Sequence, residues 1–422
     1  MIGPWLSVLR RHRVVRASAA AIFLYGFSGA ATSPYQAVIG IRELGLSDEA
    51  YALIALAASV TNVVLAIGVG LLSDRFRSYR RPLIFVAAFG VLGYGLIWAV
   101  PSPVTFGLAL VGPLALYHAT NSMLFGNVRA HLDRFDRDEA TIVNAVMRMM
   151  VSLSWVLVPG IVGIVLSGRQ SMIAAYLIAA VFAMGCLLTI VFWLEPDHRP
   201  VDEAVPSGGT GTARVAPTAG RPDRPAQVRV TRPVLQDLSG LLSRRLFGRV
   251  LGVALISQVL HVNSAVLPLI VTGSAGGRAE DIGFIIGMVA AIEVVFMVFW
   301  AWAVRGMHLT QALAITACLY FLYLAGIAFA WAPWQVYLAS LLAGFAAAGI
   351  ISLPISYLLD LIRDQPGLSA SLIAVNMFAG GAIGAVVFAA GTAIGGYPAA
   401  AILSGIGGMA GAALLLGLER RM

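Results

Sequence analysis

Two ionisable side chains stand where the sequence offers no water: Arg148 and Glu293, each inside a long apolar run. A charged group in hydrocarbon costs roughly 2.5–3.5 kcal/mol or more. Both must therefore face protein or water, and the simplest arrangement has them face each other. A buried acid that takes up and releases a proton, beside a cation that tunes it or holds a ligand, suits coupled binding rather than bond cleavage. Uncharged polar residues recur at helical spacing around them. Arg148, Ser152 and Trp155 (i, i+4, i+7) share a face, as do His118 with Asn121 and Gln258 with His261, while Asn62 and Asn376 add amides in further apolar runs. Each could bind a ligand rich in hydroxyl groups, or could serve as a hydrogen bond between helices. No Ser–His–Asp set, metal-ligand cluster or phosphate-binding loop accompanies them, so neither an enzyme nor a metal or organic cofactor is expected.

These residues need elements to hold them, and the composition says what kind. Hydrophobic residues make up 59% of the 422 and charged ones only 11%, against roughly 25% charged in soluble domains. Lipid accepts such a surface and water does not. Apolar runs long enough to cross about 30 Å of hydrocarbon predict twelve helices over 17–40, 50–72, 82–100, 104–128, 140–166, 172–194, 247–272, 282–304, 309–331, 334–360, 368–394 and 398–418. None shows the period of two expected of barrel strands. Cys186 and Cys318 both fall within these runs, which excludes a disulfide framework.

The net charge of +8 comes from 28 basic residues, all arginine. With the N-terminus on the cytoplasmic side, only Arg42, Arg169 and Arg278 fall in loops of the far side. Nearly all the rest lie at the termini and in the alternate loops. That is the positive-inside pattern. It predicts a multi-pass protein of a bacterial inner membrane with both termini cytoplasmic, in contact with anionic lipid, and excludes a nucleic-acid reading of the basic pI. Between Glu195 and Arg245 the hydrophobic signal stops. Seven prolines from Pro196 to Pro233 and the run Ser207–Thr212 predict a flexible linker, with a short amphipathic segment within 234–247. The expected organisation is residues 1–194 and 246–422 as two six-helix halves joined by the cytoplasmic linker 195–245. A weak echo between the halves fits: Pro34 precedes Asp48 by 14 residues, and Pro268 precedes Asp281 by 13.

The run from Gly70 to Pro82, with Asp74-Arg75 and the basic pair Arg80-Arg81, resembles the signature of the major facilitator superfamily. Phe23–Pro34 with Arg42-Glu43-Leu-Gly45, Val146–Pro159, Gly287–Met297, and Asp360 with Gly367–Ser371 and Asn376 are similar to the sugar efflux transporter family within it. Pro159-Gly160 and Gly163 are similar to a Gly-Pro motif of the superfamily's exporters. The resemblance implies an all-α transmembrane bundle of twelve helices in two halves, acting as a monomer. It implies alternating access, with small sugars exported in exchange for protons. It gives Gly70, Asp74, Arg75, Arg80 and Arg81 a gating role at the cytoplasmic side. Because helices 1, 4, 7 and 10 line the cavity in that superfamily, it adds Tyr25, Gln36 and Tyr357 to the substrate-binding set of Asn62, His118, Asn121, Trp155, Gln258, His261 and Asn376. Glu293 and Arg148 become the proton-coupling pair. The charge run Asp133–Glu139 is expected to be a solvated loop, with a gate role alongside Asp360, Arg363 and Asp364 as the alternative. A multidrug/proton antiporter and a non-transporting sugar sensor are the competing functions.

Overall fold

The computed structural model describes residues 11–76, 80–129, 137–194, 244–361 and 366–419. The side chains of Gly70, Asp74 and Arg75 lie outside the described residues, as do the linker, most of the Asp133–Glu139 run, and Arg363 with Asp364. Among the described residues the fold is entirely helical. There are 11 stretches long and apolar enough to span a membrane, and the last is two helices joined at a break. We number them α1 (Arg13–Thr32), α2 (Asp48–Phe76), α3 (Arg80–Ala99), α4 (Pro103–Val128), α5 (Arg137–Leu166), α6 (Ala174–Phe192), α7 (Arg244–Val271), α8 (Ala279–Ala303), α9 (Leu309–Ala328) and α10 (Pro333–Leu361). The two parts of Pro366–Glu419 on either side of Gly395-Gly396 are α11 and α12; Gly396, at φ 71°, supplies the left-handed turn between them. The chain is thus a multi-pass membrane protein of two six-helix halves. We call the end bearing the α1–α2, α5–α6, α7–α8 and α11–α12 turns the distal end, and the opposite one the linker end.

Local chemistry explains where the helices start and bend. Ser102 accepts from Thr105 N at 3.1 Å ahead of Pro103, a capped start with proline in the first turn. Asp281 accepts from Arg278 N at 2.7 Å and closes the start of α8. Two cavity helices are broken. Past Thr32, α1 turns through Ser33-Pro34-Tyr35, because Pro34 cannot continue the ladder, and resumes as Gln36–Val38 and a wide turn over Ile39–Glu43. That wide turn bonds i to i+5, with Leu44 N to Ile39 O at 2.9 Å. The second broken helix, α4, widens likewise over Leu110–Leu114 around Pro113 and breaks again at His118. Such interruptions gather at functional sites.

Within the first half, α1 packs on α5 and α6, and α3 on α6; within the second, α12 packs on α7 and α9, and α10 on α8 and α9. Small residues make the close approaches. A Cβ at Gly411 would lie 2.6 Å from Gly252 O and 2.7 Å from Leu255 Cβ, so α7 and α12 touch backbone to backbone.

Between the halves, the described contacts concentrate toward the distal end. The α5–α8 seam is glycine-lined: a Cβ at Gly287 would lie 2.8 Å from Val156 O, and one at Gly163 3.0 Å from Glu280 Cα. Arg42 reaches across to the end of α7, where Nη2 donates to Leu269 O and Nη1 to Thr272 Oγ1, both at 2.7 Å. Tyr397 OH donates to Asp48 Oδ1 at 3.2 Å, and Tyr51 meets Phe388 edge to face at 5.8 Å. The neighbouring Glu43 faces its own half, taking Ser171 Oγ and Met172 N at 2.7 Å each ahead of α6.

Two measurements follow. Gly411→Leu is expected to cost about 1–3 kcal/mol by overpacking and to lower the melting temperature in detergent, whereas Gly68→Ala, at a position with open space, leaves it unchanged. Arg42→Gln removes two charge-assisted bonds at an exposed guanidinium, worth about 1–2 kcal/mol together once solvent screening is allowed for. In a background lacking Cys186 and Cys318, it is expected to raise labelling of a cavity cysteine at Ser264 from the distal side on the order of tenfold. Unchanged labelling would show that the arginine does not hold that end shut.

Candidate functional site

A cavity of about 590 Å³ lies between the halves, lined from α1, α2 and α4 on one side and α7 and α11 on the other. That is within the usual range for a small-molecule site, roughly 300–1,000 Å³. The first half supplies most of the polar groups: Tyr25, Gln36, Tyr51, Ser59, Asn62, His118, Asn121 and Ser122. The second supplies His261 and Ser264, with Met377, Phe378 and Phe388 as an apolar wall. Neither a carboxylate nor an arginine is among the described lining residues.

The polar side chains are held in place from behind. Tyr25 OH lies 3.1 Å from His118 Nδ1. The Tyr25 ring packs on Tyr117 at 5.1 Å, and Tyr117 OH shares a 3.0 Å hydrogen bond with Ser28 Oγ. A glycine at position 93 admits Leu114, whose side chain a Cβ would meet at 2.7 Å, and so lets the bent α4 lie against α3. Asn62 Nδ2 donates to Ala115 O at 3.4 Å, within the broken stretch of α4. Asn121 Oδ1 has no hydrogen-bond partner among the described residues, although it is shielded and its residue lines the cavity. On the other wall, His261 stands against the α11 glycines. A Cβ at Gly384 would lie 3.0 Å from His261 Cβ, and one at Gly381 3.0 Å from Ser59 Oγ of α2. The two halves therefore meet beside His261.

Six of the sequence-derived ligand residues converge here: Tyr25, Gln36, Asn62, His118, Asn121 and His261. The other four turn elsewhere. Gln258 is fully buried and tied to α12, its Nε2 donating to Ser404 O at 2.7 Å and its Oε1 accepting from Ser404 Oγ at 3.1 Å. Asn376 Nδ2 donates to Ser257 Oγ of α7 at 3.1 Å. Trp155 packs against the buried apolar core, and Tyr357 sits half-buried on α10 in the electrostatic field of Arg249 and Glu419. The expected pairing of Arg148 with Glu293 does not occur. Arg148 is exposed on α5, and no ion pair joins the two. The reason is azimuth. Glu293 lies six residues beyond Gly287, about 240° round the helix, so it turns from the α5 seam towards Tyr320 of α9. Of the signature loop, Arg80 Nη2 donates to Val191 O at 2.6 Å and ties α3 to the end of α6 within one half, while Arg81 is exposed.

Sequence reasoning missed Tyr51, Ser59, Ser122 and Ser264, and also the distal clamp. Serine and tyrosine are too common in membrane helices to stand out. Arg42-Glu43 did carry a signal, a charged pair at the end of an apolar run on the arginine-poor side.

The family model of the Major Facilitator Superfamily matches residues 18–385. A Deinococcus radiodurans protein provisionally named a sugar efflux transporter is 24% identical over 288 residues, 68% of this chain and 67% of that protein. Among solved structures, the nucleoside transporter NupG superposes with a TM-score of 0.75 at 12% identity, covering 97% of this chain and 99% of that one. A POT-family peptide transporter with sulfate bound gives 0.73 at 14% identity, covering 96% and 94%. A bacterial homologue of the human lysosomal transporter Spinster, inward-facing and unoccupied, gives 0.73 at 10%, covering 97% and 98%. The match spans both halves and the cavity between them: the chain belongs to the Major Facilitator Superfamily.

Proposed function

We propose that the protein is a secondary active transporter that exports small sugars across a bacterial inner membrane in exchange for protons, by alternating access. One observation carries this reading: a cavity at the seam of the halves whose described lining offers hydroxyl, amide and imidazole groups and no carboxylate or arginine. Such a lining suits a neutral ligand with many hydroxyl groups, each able to donate and accept. The relative named for sugar efflux supports the same class. By the arginine distribution the distal end faces the periplasm and both termini the cytoplasm, so closure at the distal end leaves the cavity to the cytoplasm, the side on which an exporter loads. The cytoplasmic linker 195–245 joins the halves, and the loop of Gly70, Asp74, Arg75, Arg80 and Arg81 closes the cytoplasmic side in the opposite state, against anionic lipid. The protein works as a monomer, since each half of the site comes from the same chain.

Glu293 is the acid midway along α8, and we assign it the exchanged proton. Arg148, exposed on α5 here, meets Glu293 in a state in which the halves have rotated. The apolar wall of Met377, Phe378 and Phe388 is the one observation favouring a multidrug antiporter; against it stands the lack of an acidic group in the lining to recognise cationic drugs.

Sugar counterflow in proteoliposomes, with and without a pH gradient, tests the reading. Flux stimulated by the gradient is expected; binding without flux would leave a sensor, and flux of cationic drugs alone would select the multidrug antiporter. Asn121→Ala is expected to weaken sugar affinity about tenfold, for a lost hydrogen bond near 1.4 kcal/mol, whereas Gln258→Ala lowers thermal stability. Glu293→Gln is expected to abolish gradient-driven exchange in a protein that still folds, and full proton-coupled transport by that variant would sink its assignment.

A further inference from the structure

The cavity holds two histidines, and each half of the molecule contributes one. His118 stands at the second break of α4 and His261 on α7, and both are solvent-accessible while lining the same space. Each is set in position by its surroundings. Tyr25 OH engages His118 Nδ1 at 3.1 Å. Gly380 and Gly384 of α11 leave room for the His261 ring and stem, at 3.6 and 3.0 Å from a built Cβ. The titratable groups facing them are few. The first span gives Tyr25, α2 gives Tyr51 and α4 itself Tyr117, while behind Tyr25 and Tyr117 α3 brings Tyr94 and α6 the buried Cys186. On the facing wall α11 gives none. The charged groups at the distal closure, Arg42 and Asp48, are engaged with Leu269 and Thr272 and with Tyr397. Glu293 turns to α9. Among the described lining residues, imidazole is thus the one group that ordinarily changes charge between pH 5 and 8.

Adding a proton to the His118–Tyr25 pair has the same consequence whichever tautomer it starts from. If Tyr25 donates to Nδ1, protonation reverses that bond, occupies a lone pair of the phenol oxygen and frees its hydrogen. If Nδ1 already donates to Tyr25, protonation converts Nε2 from acceptor to donor. Either way the cavity loses one acceptor and gains one donor and a positive charge. His261 changes in the same manner on the facing wall. Among the described lining residues no carboxylate offsets two cations, so a doubly protonated site favours water over a neutral polyol.

Resting on the sugar-for-proton reading above, we infer that the proton and the sugar compete for one site: His118 and His261 bind the sugar when neutral and release it when protonated. Competition of this kind couples sugar release to proton uptake in the cavity, while the change of state still needs the proton on Glu293. A site that loads from the more alkaline compartment and opens to the more acidic one discharges its sugar there and returns carrying protons. The assignment is separate from that of Glu293, which lies off the cavity and acts on the change of state rather than on affinity.

The test uses the full chain in detergent, with histidine labelled at Cε1 for NMR and with radiolabelled glucose and sucrose as probes. The ring signals of His118 and His261, identified by their loss in H118Q and H261Q, are expected to titrate between pH 5 and 8 and to shift when sugar is added. Sugar affinity is expected to fall roughly tenfold per pH unit below the histidine midpoint for each proton that fully competes. The H118Q/H261Q double variant should flatten that dependence, and E293Q should keep it while losing gradient-driven exchange. Rings that hold one protonation state across this range, or wild-type affinity that does not vary with pH, would overturn the assignment. Failure of both sugars to bind at every pH would instead remove the sugar reading and leave the ring titration to decide on the histidines.

Discussion

The two halves are held together toward one end, and the rest of the molecule is arranged around that fact. The fastening is a guanidinium spread over the carbonyl of Leu269 and the hydroxyl of Thr272, next to a seam where α5 and α8 meet without side chains between them. These are different kinds of force. The glycine seam relies on dispersion over a backbone contact, which varies smoothly and does not depend on charge. The arginine bonds are directional and vanish once their partners separate by an ångström or two. One gives the closed end its shape, the other its threshold. A bilayer supplies no hydrophobic force between helices, so such local devices must set the balance between states.

The cavity follows from the breaks. A continuous α1 and α4 would bond all their own amides and carbonyls and present only side chains. Instead Pro34 and Pro113 interrupt the ladders, and Asn62 takes up Ala115 O in the broken stretch of α4. The interruption also places His118 on a turn, aimed at Tyr25. Irregular backbone at membrane depth is tolerated where it lines a cavity or is buried in protein, and both breaks meet that condition. The second half reaches the same cavity differently, with α11 glycines that leave room for the His261 side chain.

The spans were legible because lipid makes the rule simple: long apolar runs are helices, and helices run the thickness of the membrane. The α11–α12 boundary was legible from Gly395-Gly396 and Pro398. The site was legible in depth but not in azimuth. Spacing of i, i+3 places Gln258 and His261 on one side of α7, yet they differ by about 60° round the axis, enough to turn one to Ser404 and leave the other in the cavity. Azimuth likewise separates the expectation for Glu293 from its place on the flank of α8 that faces Tyr320 electrostatically. Nothing in a single sequence says which neighbour stands on which flank of a helix. Linker-end gating was an expectation from resemblance alone, and its acidic residue, Asp74, falls outside the described side chains.

Arg42 and Glu43 are adjacent in sequence and hold opposite allegiances, one across to α7 and the other back to Ser171 and Met172 of its own half. The short wide turn that carries both is therefore a hook riveted to one jaw. On the alternating-access reading, the carboxylate keeps the hook's root in place when the jaws part and its tip lets go. Closing again needs one guanidinium to find a carbonyl and a hydroxyl, not a loop to reorder. The entropy of re-engagement is then that of a single side chain, about 2 kcal/mol at most. A latch built this way resets quickly and wears no memory of its last state.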